Sequence, residues 1–168
     1  MLKEMILKRF GKIEVNNMDD IRDKKLSYGY GIMKFPDGSI YLGQYQDLKF
    51  EGEGQLINTD GSSYTGQFMN DMYEGKGIFT FKDTSQYDGD WSENHRNGHG
   101  VMKMADGAQY KGNWTDNLKS GKGTMVLVNG ASYVGQWQND LRHGEGVISD
   151  KDGSIIQQGT FAEGKFSG

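Results

Sequence analysis

Tyrosine returns at a fixed interval in this chain: Tyr41, Tyr64, Tyr87, Tyr110 and Tyr133 each stand 23 residues after the last. A constant period of about 20–50 residues marks a repeat array, and it constrains the fold before any local propensity is weighed. The unit is legible from Tyr64 to Tyr87, YTGQFMNDMYEGKGIFTFKDTSQY. Aromatic-x-Gly-x-aromatic (Tyr64, Gly66, Phe68) leads through a polar run to Gly75 and Gly77, an apolar run, and a turn at Asp83. Half a unit precedes the first tyrosine, since Gly29 and Gly31 stand 23 residues before Gly52 and Gly54. The last unit is degenerate: Ile156 and Gln158 occupy the Tyr and Gly positions, and Gly159 and Phe161 restore the pattern after a one-residue slip. Thr84 replaces a turn glycine within the array.

Two strand-length stretches and two turn signals per unit predict a β-hairpin. In a strand, residues two apart share a face. One face of the first stretch therefore collects Tyr41, Gly43 and Tyr45, then Tyr64, Gly66 and Phe68, then Tyr87, Gly89 and Trp91. Tyr110, Gly112, Trp114 and Tyr133, Gly135, Trp137 continue it, so all three tryptophans fall at one position of the repeat. The other face is polar, with Gln44, Gln67, Asp90, Asn113 and Gln136. Glycine inside a strand often marks close approach of another group. A glycine between two aromatics leaves a slot, which a ring from the neighbouring strand is expected to fill.

Composition fits a thin, ordered array. The chain has 168 residues, 26 of them Gly and one Pro (Pro36), with 12% aromatic and 35% hydrophobic content. Little proline argues against a disordered Gly/Pro-rich chain, and a one-dimensional stack needs less buried core than a globule. The net charge of −4, with both signs interspersed, provides no basic stripe for nucleic acid. Without cysteine there is no disulfide framework, thiolate nucleophile or cysteine-based zinc site. No apolar run approaches the roughly 20 residues that span a bilayer.

No catalytic, cofactor or metal site is expected. His95 and His99 share one segment, and His143 lies two repeats on, nearly 20 Å away at about 9–10 Å per hairpin. They cannot share one zinc ion. The Gly-x-Gly pairs lack the third glycine, or the Gly-Lys-Ser/Thr, of a nucleotide loop. The series Asp37, Asp60, Asp83, Asp106, Asn129 and Asp152 reads as turn chemistry, with side chains bonding local backbone.

Residues 1–27 fall outside the period. Leu2, Met5, Ile6 and Phe10 recur near helical spacing among basic residues, which predicts a short amphipathic helix over Met1–Phe10. It would cap the first hairpin, dock a partner or lie on a membrane surface. Residues 28–168 form the array, about six repeats.

The recurring Tyr-x-Gly-x-Trp, Gly-x-Gly and Asp-Gly elements closely resemble the MORN (membrane occupation and recognition nexus) repeat. Tyr110-Lys111-Gly112-Asn113-Trp114, with Gly121-Lys122-Gly123 and Asn129-Gly130, matches it almost throughout. The likeness covers about residues 28–164. It implies an all-β fold, a single-layer, elongated, twisted antiparallel sheet of tandem hairpins, with a groove lined by the ring face. About twelve strands at about 4.8 Å spacing would extend roughly 55–60 Å. An apolar face left open marks an interaction site. The residues expected to line it are Tyr41, Tyr64, Tyr87, Tyr110 and Tyr133 together with Phe68, Trp91, Trp114 and Trp137; the same rings could instead be satisfied by packing on one another.

The resemblance further implies a non-catalytic scaffold subunit of a multi-subunit assembly, holding a partner peptide or helix. Its setting would be a cilium or flagellum axoneme, radial-spoke-like, or the cytoskeleton, and cytoplasmic. Tethering to membrane phospholipid and regulation of a separate enzyme are the alternatives. A homodimer through edges or ring faces is also open.

Overall fold

The computed structural model describes Glu14–Val15 and residues 28–168. The helix expected over Met1–Phe10, with Leu2, Met5, Ile6 and Phe10, lies outside the described residues. All described elements are strands, and no described helix is long and apolar enough to cross a membrane.

The chain divides into two compact units, Met1–Lys82 and Asp83–Gly168. The first holds β1 (Glu14–Val15), β2 (Tyr28–Lys34), β3 (Ile40–Gln46), β4 (Lys49–Ile57), β5 (Ser63–Met69) and β6 (Met72–Thr80). Strand β1 runs parallel to β2, and from β2 to β6 each strand pairs antiparallel with the next. The second unit holds β7 (Gln86–Ser92), β8 (His95–Lys103), β9 (Gln109–Thr115), β10 (Leu118–Val126), β11 (Ser132–Gln138), β12 (Leu141–Ser149), β13 (Ile155–Ala162) and β14 (Lys165–Phe166). These strands also pair antiparallel in chain order. The slip near the end of the array appears as an irregularity where Ile148 pairs with Gln157 but Ser149 with Ile155.

Two kinds of turn alternate. Hairpins close through two residues that both take positive φ, as at Asn70 (51°) and Asp71 (68°) or Asp116 (48°) and Asn117 (69°). These are type I′ turns, whose twist suits paired strands and whose left-handed backbone favours Asn and Asp. In the sequence they are part of the polar run between the two strands. Successive hairpins are joined by the Asp-led turns. At the first of these, Phe35 N donates to Ser39 O (3.0 Å) and Gly38 N to Phe35 O (2.9 Å). The Asp37 carboxylate accepts from Ser39 N (2.9 Å) and Ser39 Oγ (2.7 Å). Asp60 with Ser62 and Asp83 with Ser85 repeat the arrangement. In all three aspartates, hydrogen bonding from the serine holds the carboxyl below its usual range.

The two glycines of Gly-x-Gly have different tasks. The first is a β-bulge: Gly75 (φ 59°), Gly121 (54°) and Gly144 (57°) sit where the register shifts. A bulge of this kind asks for left-handed backbone, which glycine adopts without a side-chain clash. The second lies under a tyrosine. A β-carbon on Gly123 would come within 2.6 Å of Tyr110 ring carbons, and one on Gly146 within 2.5 Å of the Tyr133 ring. Tyr110 is not on a strand neighbouring Gly112, whose slot it also fills at 2.5 Å; both are on β9. The slot is therefore filled mainly by the ring two residues earlier on the same strand, which also reaches over the paired strand. At Gly29, where Tyr45 Oη would lie 2.8 Å from a β-carbon, and at Gly54, Gly77, Gly100, Gly123 and Gly146 under their tyrosines, the ring comes from the neighbouring strand.

Candidate interaction surface

The rings form a ladder along one face of each unit. Each tyrosine phenol turns back over its own strand and donates to the carbonyl three residues on: Tyr64 to Gln67 (2.9 Å), Tyr87 to Asp90 (3.0 Å), Tyr110 to Asn113 (3.0 Å) and Tyr133 to Gln136 (2.9 Å). Burial raises these phenols' pKa values above the ordinary value.

In the second unit each of these tyrosines meets two partners edge to face. Tyr87 contacts Trp91 (5.1 Å between centroids, 89°) and Trp114 (5.3 Å, 85°). Tyr110 contacts Trp114 and Trp137, and Tyr133 contacts Trp137 and Phe161. In the first unit Phe68 stands between Tyr41 and Tyr64 in the same way. Perpendicular pairs at this distance set the positive ring edge against the negative face. The indoles also donate to backbone, Trp137 Nε1 to Gly123 O at 3.2 Å.

The rings expected to line a groove are consequently buried. Tyr41, Tyr64, Tyr87 and Tyr110 are 0% exposed, and Phe68, Trp91, Trp114, Tyr133 and Trp137 do not exceed 8%. Their surface is spent on one another.

Part of the cover comes from a position that the sequence motif does not mark, nine residues after each tyrosine. It pairs with the second ring of the motif, as Tyr73 with Phe68, Arg96 with Trp91, Lys119 with Trp114 and Arg142 with Trp137. In Met1–Lys82 it is aromatic. Phe50 stacks on Tyr41 (3.8 Å, 7°) and Tyr73 on Tyr64 (3.9 Å, 14°). In Asp83–Gly168 it is cationic. The Arg96 guanidinium carbon lies 4.5 Å from the Trp114 centroid, Lys119 Nζ 5.3 Å from that of Trp137, and the Arg142 guanidinium carbon 5.3 Å from that of Phe161. The 23-residue spacing of Phe50, Tyr73, Arg96, Lys119 and Arg142 was the available signal. Their mixed chemistry hid it.

The same residues tie successive hairpins together. Arg96 N donates to Asn117 Oδ1 (2.9 Å) and Asn117 N to Arg96 O (3.1 Å), while Arg96 Nη2 donates to Asn117 O (2.8 Å). Lys119 N and Asp140 repeat the exchange, and Phe50 N with Asp71 does so in the first unit. The type I′ turn of one hairpin thus docks on the strand start of the hairpin before it.

This architecture matches one family. The model of the MORN repeat fits residues 29–40, 64–86, 87–109, 110–132 and 133–155. The chain belongs to the MORN repeat family. Residues 41–63 are not matched, yet β3 and β4 pair with the same irregularity between Gly43 and Tyr45 as the MORN hairpins that are. No curated protein matches the chain. Among solved structures, the wild-type TCP10 domain of Danio rerio CPAP is 13% identical with a TM-score of 0.35. That alignment covers 77% of this chain and 66% of the other, just under two thirds of its length. The SAS-4 (dCPAP) TCP domain of Drosophila melanogaster, in complex with a proline-rich motif of Ana2 (dSTIL), is 9% identical with a TM-score of 0.37, covering 77% and 83%.

What the MORN ladder leaves open lies beside it. On the ring face of Asp83–Gly168, Met125, Leu127, Leu141, Arg142 and Ile148 line a groove of about 430 Å³ backed by Tyr133 and Trp137. Leu127 is 47% and Leu141 48% exposed. The opposite face has a shallow, more polar depression of about 690 Å³ whose lining includes His99, Lys111, Lys122 and Glu145. There His99 Nδ1 is 2.9 Å from Asn113 Oδ1. No group of three or more His, Asp or Glu able to hold a metal ion occurs among the described residues.

Proposed function

We propose that this MORN protein is a non-catalytic scaffold that binds other proteins through its ring face. The observation that carries the reading is the groove of Met125, Leu127, Leu141 and Ile148, apolar and open although every ring behind it is internally satisfied. A module that needed only to fold would have little use for exposed aliphatic side chains beside a finished ladder, and such patches generally mark interaction sites. Buried Tyr133 and Trp137 act as the rigid backing of that groove. The partner's contacts fall on the residues that cover and flank it.

Membership of a repeat family whose stacked units present extended faces supports a role within a multi-subunit assembly. The setting we propose is a cilium or flagellum axoneme or the cytoskeleton. Affinity purification from the native source with wild-type chain and with Leu127→Asp tests both levels. Axonemal or cytoskeletal proteins captured by the wild type and lost with the variant are the expected result. Equal recovery on both chains would remove the ring face from the proposal.

A further inference from the structure

The cover position changes character between the two units, and the change provides an internal control. In Met1–Lys82 the rings of Phe50 and Tyr73 lie flat on Tyr41 and Tyr64 and shield them without any charge. In Asp83–Gly168 Arg96, Lys119 and Arg142 take that place. Covering a tyrosine therefore does not require a cation. The second unit carries charge where the fold alone is served by a ring.

That charge is only partly answered. Arg96 Nη2 and Arg142 Nη2 donate to the carbonyls of Asn117 and Gly164, both at 2.8 Å, and carbonyls bear no countercharge. Lys119 Nζ lies 3.5 Å from Asp140 Oδ1. The apolar groove of Met125, Leu127 and Ile148 adjoins this row and includes Arg142 in its wall. Methionine is unbranched and polarizable, which suits an adaptable contact.

The spacing of the row selects a ligand geometry. Successive cations stand two strand spacings apart, so they repeat at about 9.6 Å across the sheet. Three residues of polyproline II chain rise about 9.3 Å and return the side chain to the same side. Two turns of α-helix rise about 10.8 Å and would fall progressively out of step.

We propose that the ring face of Asp83–Gly168 takes an extended acidic and apolar segment of a partner protein, running across the strands. Carboxylates at every third residue reach Arg96, Lys119 and Arg142, and the intervening apolar side chains enter the groove at Met125, Leu127 and Ile148. This rests on the protein-binding reading above and adds the chemistry and conformation of what is bound.

Selection of random 12-residue peptides displayed against the full chain tests it. The expected result is enrichment of sequences with Asp or Glu at intervals of three and apolar residues between. Binding of an enriched synthetic peptide should fall at least about tenfold in the double variant Lys119→Tyr, Arg142→Tyr. These substitutions copy the cover found at Tyr73, so the chain retains a precedent for folding, and its unfolding midpoint is measured alongside. The variant Lys111→Gln, Lys122→Gln on the opposite face should bind as the wild type does. Should the variant fail to fold, Leu127→Asp, at an exposed site, must weaken the acidic peptide equally. Enrichment of basic or uncharged peptides, or loss of binding only on the opposite face, overturns this inference and leaves the protein-binding reading standing. No enrichment of any peptide overturns both. Sedimentation with phosphatidylserine vesicles that is lost in the tyrosine double variant would assign the cations to lipid and overturn it as well.

Discussion

The Tyr110 ring occupies the space that a side chain on Gly123 would need, with ring carbons 2.6 Å from the position of a β-carbon there. Real β-carbons do not approach so near, and the ring is held by its hydrogen bond to Asn113 O and by Trp114 and Trp137 at its edges. Gly123→Ala is therefore expected to cost about 1–3 kcal/mol as overpacking. Gly107 is the contrast: it has nothing within 4 Å, so Gly107→Ala meets only the penalty of its φ of 96°, about 1 kcal/mol. Urea unfolding of the two variants should rank them in that order.

Thr84 takes φ of 72° where other repeats place glycines such as Gly61 (90°) and Gly107 (96°). A β-branched residue is poorly suited to this region. Thr84→Gly should raise stability by about 1 kcal/mol, since the penalty for left-handed backbone is removed. A thermal midpoint that stays the same or falls would show that the Thr84 side chain compensates locally.

Trp114 bridges two tyrosines and is 4% exposed. Trp114→Ala should destabilise by about 3–5 kcal/mol through the cavity it leaves. Tyr110→Phe keeps the ring and removes only the bond to Asn113 O, which costs about 1 kcal/mol. The difference between the variants in denaturant midpoint measures how much of the ladder is packing.

Alkaline pH should weaken the fold. Burial raises the phenols of Tyr64, Tyr87 and Tyr110 above the value they have in the unfolded chain. Between the unfolded value near 10 and the higher folded values, the unfolded chain gives up protons that the folded chain keeps. Stability is thus complete below about pH 10 and declines as pH rises beyond it. Tyrosinate absorbance from these rings should appear together with loss of β-sheet circular dichroism. Their ionisation in a chain that stays fully folded would contradict the buried geometry.

Arg142 lies over the Tyr133 and Phe161 rings and donates to Gly164 O. Arg142→Ala should cost about 1–3 kcal/mol from the lost cation–π contact and hydrogen bond together. Arg142→Tyr should recover most of it, following Tyr73 over Tyr64. Equal loss in both variants, measured by urea unfolding, would show that the guanidinium bond to Gly164 dominates.

The 23-residue return of tyrosine, the shared position of the three tryptophans and the Asp-led turns were enough to define hairpins, strand faces and the family. They are local or periodic features, and a strand's alternation of faces turns them directly into geometry. Tertiary structure alone decided how the rings were spent. Tyr110 bends over its own strand to Gly112 and across to Gly123, its phenol bonded to Asn113 O, and the next hairpin brings Trp137 to its edge. Of the two outcomes the sequence left open for these rings, packing on one another is what buries them. Likewise the common task of Phe50, Tyr73, Arg96, Lys119 and Arg142 is invisible in side chains of such different chemistry. Only the strand register sets each of them over a ring, and only there does the row of charge on the second unit become a surface.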